Sequence, residues 1–128
     1  MRRLLLMGSL LLMIGLIGCS KNYTYGDFEH ITHWDDILDF EDGTVLLYYY
    51  SPYCDICAAF EDTLTQHAAL LSGHVPVYLA NSSQVVDQGS PNFETTGVPA
   101  LFILHDREFV EMVRGTRQME ETLKSYLP

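Results

Sequence analysis

The sequence has few positive charges, and this scarcity excludes one large class of partner. It contains 7 Lys and Arg residues against 17 Asp and Glu, which gives a formal net charge of −10. No Lys or Arg occurs between Lys21 and Arg107. An acidic surface disfavours nucleic acid and repels anionic lipid headgroups. We therefore expect no nucleic-acid partner, and any association with a membrane must have a source other than charge.

The sequence also lacks an apolar run long enough to span a bilayer. The longest such run, residues 4–17, is broken only by Gly and Ser. A membrane-spanning helix needs about 20 residues, so this run is too short. It follows Arg2 and Arg3 and leads to small residues, a pattern typical of an export signal.

The end of this run is more specific, because Leu16-Ile17-Gly18-Cys19 resembles the lipobox of bacterial lipoproteins. The resemblance implies a signal peptide over residues 1–18, a lipid on Cys19 with a short tether over residues 19–26, and a domain over residues 27–128. It also implies a lipid-anchored protein of the bacterial cell envelope, with the domain outside the cytoplasm. An ordinary signal peptide with a chance Cys and a retained membrane helix remain as alternatives, and the choice between inner and outer membrane stays open.

Cysteine is scarce too, with three residues in the chain. If Cys19 carries lipid, Cys54 and Cys57 remain as a pair. At this spacing in a helix they share one face, with Cα atoms about 5–6 Å apart, within the range of a disulfide. Cys54 falls at the predicted start of a helix, where free N–H groups favour a thiolate. The pattern predicts that Cys54 attacks a substrate disulfide and that Cys57, one turn further in, resolves the mixed disulfide.

Hydrophobic periodicity predicts an α/β fold with a mixed sheet and helices on both faces. A strand–helix–strand unit surrounds the cysteine pair, and its two strands should be parallel. In chain order we predict an edge strand over 27–31, a short amphipathic helix with Thr32 as N-cap over 32–40, a strand over 45–50, a helix from Asp55 to Ser72-Gly73, a strand over 75–80, a helical turn within the polar stretch 81–96, hairpin strands over 100–104 and 109–113, and a final amphipathic helix.

Two segments resemble those of thioredoxins. Residues 45–57, which end in Tyr53-Cys54-Asp55-Ile56-Cys57, resemble the active-site segment. Gly97-Val98-Pro99 and the following apolar residues 100–103 resemble the cis-proline loop and the next strand, at the usual distance from the first Cys. Gly115 also falls where thioredoxins carry a glycine after the hairpin.

The resemblance implies a thioredoxin-like fold and a thiol–disulfide oxidoreductase. It implies a cis Val98–Pro99 bond beside the dithiol and pairing of the substrate backbone with the residue before the proline. Tyr53, Val98 and Pro99 are then substrate-binding residues, and Asp55 and Ile56 are the active-site dipeptide.

The sequence departs from the thioredoxin pattern at three places. Tyr53 replaces the usual Trp, Asp55-Ile56 replaces Gly-Pro, and Tyr48 stands where thioredoxins bury an Asp that helps to move the proton of the second thiol. Water or a nearby acid would then have to substitute for that Asp. Because no cation lies near the motif in sequence and Asp55 is adjacent to Cys54, we expect only a moderately lowered Cys54 pKa, unless Arg107 or Arg114 approaches in the fold. This favours reduction or exchange over strong oxidation.

Other interpretations weigh less. A zinc site would need ligands from the five histidines, His30, His33, His67, His74 and His105, which form no compact set, so we expect no metal. The acidic residues 35–42 lack EF-hand spacing, and Tyr48, Tyr49 and Tyr50 are expected in the core. We expect exchange without a cofactor, and as partners exported protein thiols or disulfides, a redox partner protein and the membrane through Cys19, with the chain as a monomer. The rival function is an accessory module that assists peptide export or assembly without catalytic cycling.

Overall fold

The computed structural model describes residues 22–85 and 97–128. The elements of these residues are two 3-10 helices, Tyr25–Asp27 and Trp34–Asp39, four strands, β1 Thr44–Tyr50, β2 Val77–Asn81, β3 Ala100–His105 and β4 Glu108–Val113, and two α-helices, α1 Asp55–Leu71 and α2 Thr116–Ser125.

The four strands form one mixed sheet in the order β2-β1-β3-β4. β1 pairs in parallel with β2 and antiparallel with β3, which in turn pairs antiparallel with β4. The predicted parallel strand–helix–strand unit and the hairpin are therefore confirmed. Because β1 is an inner strand, Val45, Leu46, Leu47 and Tyr48 are almost completely buried, as the apolar run predicted.

Alternation along the strands divides the core into two layers. Leu46, Tyr48 and Tyr50 point to the face covered by α1 and α2, together with Leu101 and Ile103 of β3. The strand side chains of the opposite face pack against the 3-10 helix Trp34–Asp39 and the residues that flank it. Buried there are Ile31, Trp34, Ile37 and Phe40. The sheet is thus flanked by helices on both faces, with both α-helices of the described residues on one of them.

The predicted edge strand over 27–31 is wrong, because pairing there is limited to a single parallel bridge between His30 and Leu79. The N–H of Ile31 donates to the Leu79 carbonyl, and the N–H of Leu79 donates to the Glu29 carbonyl, both at 2.9 Å. In a parallel ladder alternate N–H groups face the neighbouring strand, and the next of these, that of His33, donates to the Asp36 carboxylate at 3.1 Å.

The amphipathic helix predicted over residues 32–40 is instead a 3-10 helix, Trp34–Asp39, with His33 as its N-cap. The Asp36 carboxylate also explains this difference. The N–H groups of Thr32 and His33 donate to Asp36 at 2.9 and 3.1 Å. These backbone hydrogen bonds lower the pKa of Asp36, since they stabilise the ionised form. The first turn is therefore closed by Asp36, whereas the sequence pointed to Thr32 and Asp35.

Several predictions fall on residues outside the described ranges. They are the apolar run 4–17, Cys19 with its lipid, and most of the polar stretch that follows β2, including part of the predicted turn near Gln84. Within residues 22–85 and 97–128, no helix combines the length and apolar character needed to cross a membrane.

Candidate active site

The connection from β1 to α1 places Cys54 at the start of the helix. The chain turns after Tyr50, and the Cys54 N–H donates to the Ser51 carbonyl at 3.3 Å. The Ser51 hydroxyl accepts from the N–H of Tyr53 at 3.1 Å, which closes the turn locally. Pro52 is compatible with this turn because it needs no donor there. A buried strand thus ends in a tight turn that presents Cys54 at the edge of the sheet.

Cys54 is the N-cap of α1, and its sulfur takes the place of a capping oxygen. The N–H of Cys57 donates to the Cys54 Sγ at 3.1 Å. A disulfide joins the two residues, whose Cα atoms lie 5.2 Å apart. The predicted spacing is confirmed, and the Cys57 N–H of the first turn points at the sulfur that would carry negative charge after reduction.

The two cysteines differ in exposure. Cys57 is fully buried, with 0% of its surface exposed, whereas Cys54 is half-buried. An external disulfide can therefore approach the sulfur of Cys54 but not that of Cys57. This asymmetry agrees with the predicted roles, in which Cys54 attacks and Cys57 resolves.

The predicted cis bond between Val98 and Pro99 is present, and its loop lies at the same edge of the sheet as the dithiol. Ala100 begins β3 and pairs with Tyr49, one residue before the end of β1. Both Val98 and Cys54 pack against the core layer beneath α1. The fold therefore brings together the two segments that the resemblance singled out.

Exposed apolar side chains surround Cys54. Tyr53 is 88% exposed and Ile56 is 57% exposed, although both side chains are large and apolar. Asp55 is exposed as well and adds the one acidic side chain of the first helical turn. These residues form a surface that a partner protein can contact next to the reactive sulfur.

Of the two arginines Arg107 and Arg114, Arg114 is the one that lies beside the loop before Pro99. Gly97 has φ +90°, and a Cβ added there would lie 2.9 Å from Nη1 of Arg114. The guanidinium therefore lies against the loop that leads to Pro99. Arg107 instead binds Asp42 at 2.6 Å, at the turn between β3 and β4. The position of Arg114 could not be read from the sequence, in which no Lys or Arg lies near the cysteine motif.

A pair of phenols occupies the region where the sequence lacks the buried acid. Tyr48 is fully buried, and its hydroxyl lies 3.0 Å from that of Tyr25. The Tyr25 hydroxyl donates to the Cys57 carbonyl at 2.5 Å. Because a phenol has one proton, Tyr48 must donate to Tyr25.

Both phenols remain neutral at ordinary pH. Burial raises the pKa of Tyr48 to about 12. Burial and the hydrogen bond with Tyr48 raise the pKa of Tyr25 still further. A neutral pair of hydroxyls therefore stands where thioredoxins place a carboxylate.

Sequence reasoning missed Tyr25, which it assigned to the polar tether over residues 19–26. Tyr25 is buried in the core layer beneath α1. A signal was present in the spacing of Thr24 and Asp27, because the Thr24 N–H donates to the Asp27 carboxylate at 2.8 Å, as in a capping box. We refer to residues 23–28, which include this turn, as the N-terminal segment.

Tyr50 and Glu61 complete the surroundings of the phenol pair. The Tyr50 ring lies 4.3 Å from that of Tyr25, and its hydroxyl lies 2.7 Å from Nε2 of His30. Since Nδ1 of His30 lies 2.8 Å from the Phe28 carbonyl and must donate there, Nε2 accepts from Tyr50. Glu61, which is half-buried, accepts the Tyr25 N–H at 2.9 Å and is the nearby acid of this cluster.

The histidines considered as metal ligands are dispersed. His67, which extends the apolar stripe of α1, donates from Nδ1 to the Thr63 carbonyl at 2.7 Å within the same helix. In the part of the chain that the structure describes, no group of three or more His, Cys, Asp or Glu side chains is arranged to hold a metal ion.

Comparisons with known proteins agree with this geometry. The family model described as Thioredoxin matches residues 28–127. No curated protein sequence matches the chain.

Solved structures share the fold at low identity. Mitochondrial thioredoxin 3 from Saccharomyces cerevisiae, in its oxidised form, superposes with a TM-score of 0.68 at 14% identity, covering 80% of this chain and 99% of that one. A structure from work on thiol resolution in yeast mitochondrial 1-Cys peroxiredoxin by glutathione and thioredoxin systems gives 0.67 at 13% identity, covering 80% and 99%. Fasciola hepatica thioredoxin gives 0.64 at 13% identity, covering 77% and 98%. With the family match over most of its length, the chain belongs to the thioredoxin family of thiol–disulfide oxidoreductases.

Proposed function

We propose that this protein is a lipid-anchored oxidoreductase of the bacterial cell envelope that reduces or exchanges disulfides in exported proteins. One observation carries the chemistry: a half-buried Cys54 at the start of α1 is joined to a fully buried Cys57, at the sheet edge that also holds Pro99. No bound cofactor is needed, because the two sulfurs themselves carry the electrons.

In the reductive direction the reaction has two exchange steps. The Cys54 thiolate attacks one sulfur of a substrate disulfide, forms a mixed disulfide, and releases the other substrate sulfur as a thiolate that takes up a proton. Cys57 then loses its proton and attacks the Cys54 sulfur. This closes the Cys54–Cys57 disulfide and releases the second substrate thiolate. The substrate gains two electrons, and a second dithiol protein must reduce the pair again.

The surface around Cys54 supports a protein substrate in this reaction. Tyr53 and Ile56 offer exposed apolar contacts on the helix side of the sulfur. On the other side, an extended substrate segment would pair with the backbone of Val98, with Pro99 beside the sulfurs. The groups proposed to contact a substrate therefore lie on both sides of the reactive sulfur.

The charges around Cys54 support reduction or exchange rather than strong oxidation. The N–H of Cys57 is one donor to the Cys54 sulfur, at 3.1 Å, and the exposed Asp55 carboxylate opposes a second negative charge nearby. Arg114 lies against Gly97, on the loop before Pro99, and Arg117 lines a cavity beside Ile56, where it pairs with Glu121 at 3.3 Å. A weakly stabilised thiolate gives a disulfide that is harder to reduce, and therefore a better reductant in its dithiol form.

The proposed location is based on the sequence. The basic start, the short apolar run over residues 4–17 and Leu16-Ile17-Gly18-Cys19 support export and lipid attachment at Cys19. Two acyl chains on one cysteine would hold the protein at the membrane, whereas the acidic domain would not. A Cys19→Ser variant should appear in the soluble envelope fraction and should lose incorporation of labelled fatty acid. An unchanged membrane fraction would contradict the lipid anchor without affecting the redox proposal.

The alternative function is an accessory module without catalytic cycling, and the observation that favours it is the position of Tyr48. A neutral phenol in the place of the buried acid removes a group that would accept the proton of the second thiol. In this alternative the disulfide is structural, and the surface around Tyr53 binds a partner without exchange.

A trapping experiment separates the two candidates. In a Cys57→Ser variant the mixed disulfide on Cys54 cannot be resolved, so substrates remain attached and are identified by mass spectrometry after non-reducing separation. The control carries both Cys54→Ser and Cys57→Ser and should trap nothing. Recovery of exported proteins on Cys54 alone supports the oxidoreductase. Absence of adducts, together with a wild-type disulfide that never becomes reduced in cells, supports the accessory module.

A further inference from the structure

The N-terminal segment is hydrogen-bonded along one face of α1, and that face begins at the resolving cysteine. The phenol of Tyr25 donates to the carbonyl of Cys57, and the N–H of Tyr25 donates to the Glu61 carboxylate at 2.9 Å. The hydroxyl of Thr65, which donates its proton to the Glu61 carbonyl at 2.8 Å, also lies close to the segment, 3.3 Å from the carbonyl of Tyr23. Because Cys57, Glu61 and Thr65 recur every four residues, they share one face of the helix.

We propose that Tyr25 is a positioning residue that sets how fast Cys57 closes onto Cys54, and this inference rests on the exchange reaction proposed above. Closure requires the Cys57 sulfur to approach the Cys54 sulfur in line with the bond that breaks. The Cys57 backbone therefore has to stay in place while Cys54 carries a substrate.

The first turn of a helix has few internal constraints, because its N–H groups lack partners within the helix. Here the Cys57 N–H donates to the Cys54 sulfur, the atom whose bonding changes during the reaction. The hydrogen bond from Tyr25 to the Cys57 carbonyl involves neither sulfur. It can hold the first turn in the mixed-disulfide state as well as in the disulfide state.

Tyr48 contributes by orienting Tyr25. Its hydroxyl lies 3.0 Å from the Tyr25 hydroxyl and donates to it, so the single proton of Tyr25 is directed to the Cys57 carbonyl. Tyr48 comes from the central strand, and Tyr25 comes from the N-terminal segment. Two separate parts of the fold thus converge on the backbone of the resolving cysteine. Removing the Tyr48 hydroxyl should loosen Tyr25 without removing its bond to Cys57.

Tyr50 provides a matched control from the same aromatic cluster. Its ring lies 4.3 Å from the ring of Tyr25, and it is buried to a similar degree. Its hydroxyl, however, donates to His30 and not to Cys57. A Tyr50→Phe variant therefore removes a hydroxyl from the cluster while leaving both hydrogen bonds of the Tyr25 hydroxyl.

The two exchange steps can be measured separately with the chromogenic disulfide 5,5′-dithiobis(2-nitrobenzoate). Attack by reduced Cys54 releases the first coloured thiolate, and closure by Cys57 releases the second. For Tyr25→Phe we expect the first release to keep its rate and the second to slow about tenfold, because small misplacements of reacting groups have large effects on rate. Tyr48→Phe should slow the second release by a smaller factor, and Tyr50→Phe should change neither.

Two results would overturn this inference while leaving the exchange reaction intact. One is an unchanged second release in Tyr25→Phe. The other is an equal slowing in Tyr50→Phe, which would assign the effect to ring packing. If Tyr25→Phe does not fold, the comparison of Tyr48→Phe with Tyr50→Phe decides the matter. A reduced wild-type protein that releases neither thiolate would instead refute the proposed function, and the inference with it.

Discussion

The hydroxyl of Tyr48 lies 3.0 Å from the hydroxyl of Tyr25, in the place where thioredoxins bury an ionisable acid. Burial holds both phenols neutral, so the interior beneath the dithiol contains no carboxylate in this position. Tyr25 reaches that interior from a segment that precedes the matched family region, which begins at residue 28. The pair therefore ties this segment to the central strand as well as to the active-site helix.

The phenol pair predicts a loss of stability at high pH. The pKa of Tyr48 is raised from 10.0 to about 12, so its stabilising contribution is fully present below pH 10 and is lost as the pH rises toward 12. Two pH units correspond to about 2–3 kcal/mol in the free energy of unfolding. Denaturant titrations from pH 9 to pH 12 should show this fall. Tyr48→Phe should make it smaller without removing it, because burial also raises the pKa of Tyr25, Tyr50 and Tyr78. The control is Tyr53→Phe, which removes a hydroxyl from an exposed ring.

Alkylation of the reduced protein should distinguish the two thiols. Cys57 is fully buried and Cys54 is half-buried, so iodoacetamide should modify Cys54 at least about tenfold faster. The comparison uses the variants Cys57→Ser and Cys54→Ser, each with one thiol of the pair, and mass spectrometry after timed quenching. Equal rates for the two thiols would contradict the assignment of Cys54 as the attacking residue.

The pH dependence of that alkylation tests the role of Asp55. An unperturbed thiol titrates near 8.5, and we expect the pKa of Cys54 to lie only moderately below this value. Replacing Asp55 by Asn removes a neighbouring negative charge and should lower the Cys54 pKa further, by roughly a few tenths of a unit. Asp62→Asn, an exposed change further along α1, is the control and should have no effect. A strongly acidic Cys54 in the unmodified protein would contradict the reductive direction.

The exposed aromatic ring beside Cys54 should matter for protein substrates alone. Tyr53→Ala should raise KM for a protein disulfide about tenfold, since a contacting ring is lost, and leave the rate with a small chromogenic disulfide unchanged. Leu70→Ala is a matched control, because Leu70 is 62% exposed near the other end of α1. If both variants behave alike, the surface around Tyr53 is not the docking surface.

A comparison of two glycines can separate the effect of displacing Arg114 from the effect of backbone strain alone. Gly97 and Gly73 both have φ +90°, but only an added Cβ at Gly97 would meet Arg114, at 2.9 Å, whereas nothing lies within 4 Å of one at Gly73. Each substitution by Ala should cost about 1–2 kcal/mol in the free energy of unfolding. Gly97→Ala alone should also slow the reaction with protein disulfides, through displacement of Arg114 and the loop. Equal exchange rates in the two variants would show that the position of Arg114 does not affect the reaction.

The elements that surround the dithiol were predictable because their signals are local and strong. The apolar run before Cys54 predicts a buried strand, and the spacing of Ile56, Phe60 and Leu64 predicts the helix. The structure places these in β1 and α1, with the helix ending at Leu71 as expected from Ser72-Gly73. Pro99 was identified by resemblance, since its distance from Cys54 has meaning only within a known fold.

The remaining features depend on contacts between distant residues. The sequence favours Thr32 as the N-cap, but the Asp36 carboxylate accepts the backbone N–H groups of both Thr32 and His33, and the cap is His33. Tyr25 was assigned to a tether because its neighbours are polar, and its burial depends on Tyr48, which lies far away in sequence. Arg114 approaches Gly97 only through the hairpin of β3 and β4.

The unequal exposure of the two cysteines has a kinetic consequence. Since Cys57 is sealed within the core and Cys54 is open, the protein that supplies electrons and the protein that receives them must bind covalently to the same sulfur atom. They cannot occupy it together, so turnover should follow ping-pong kinetics, with each partner acting as a competitive inhibitor of the other.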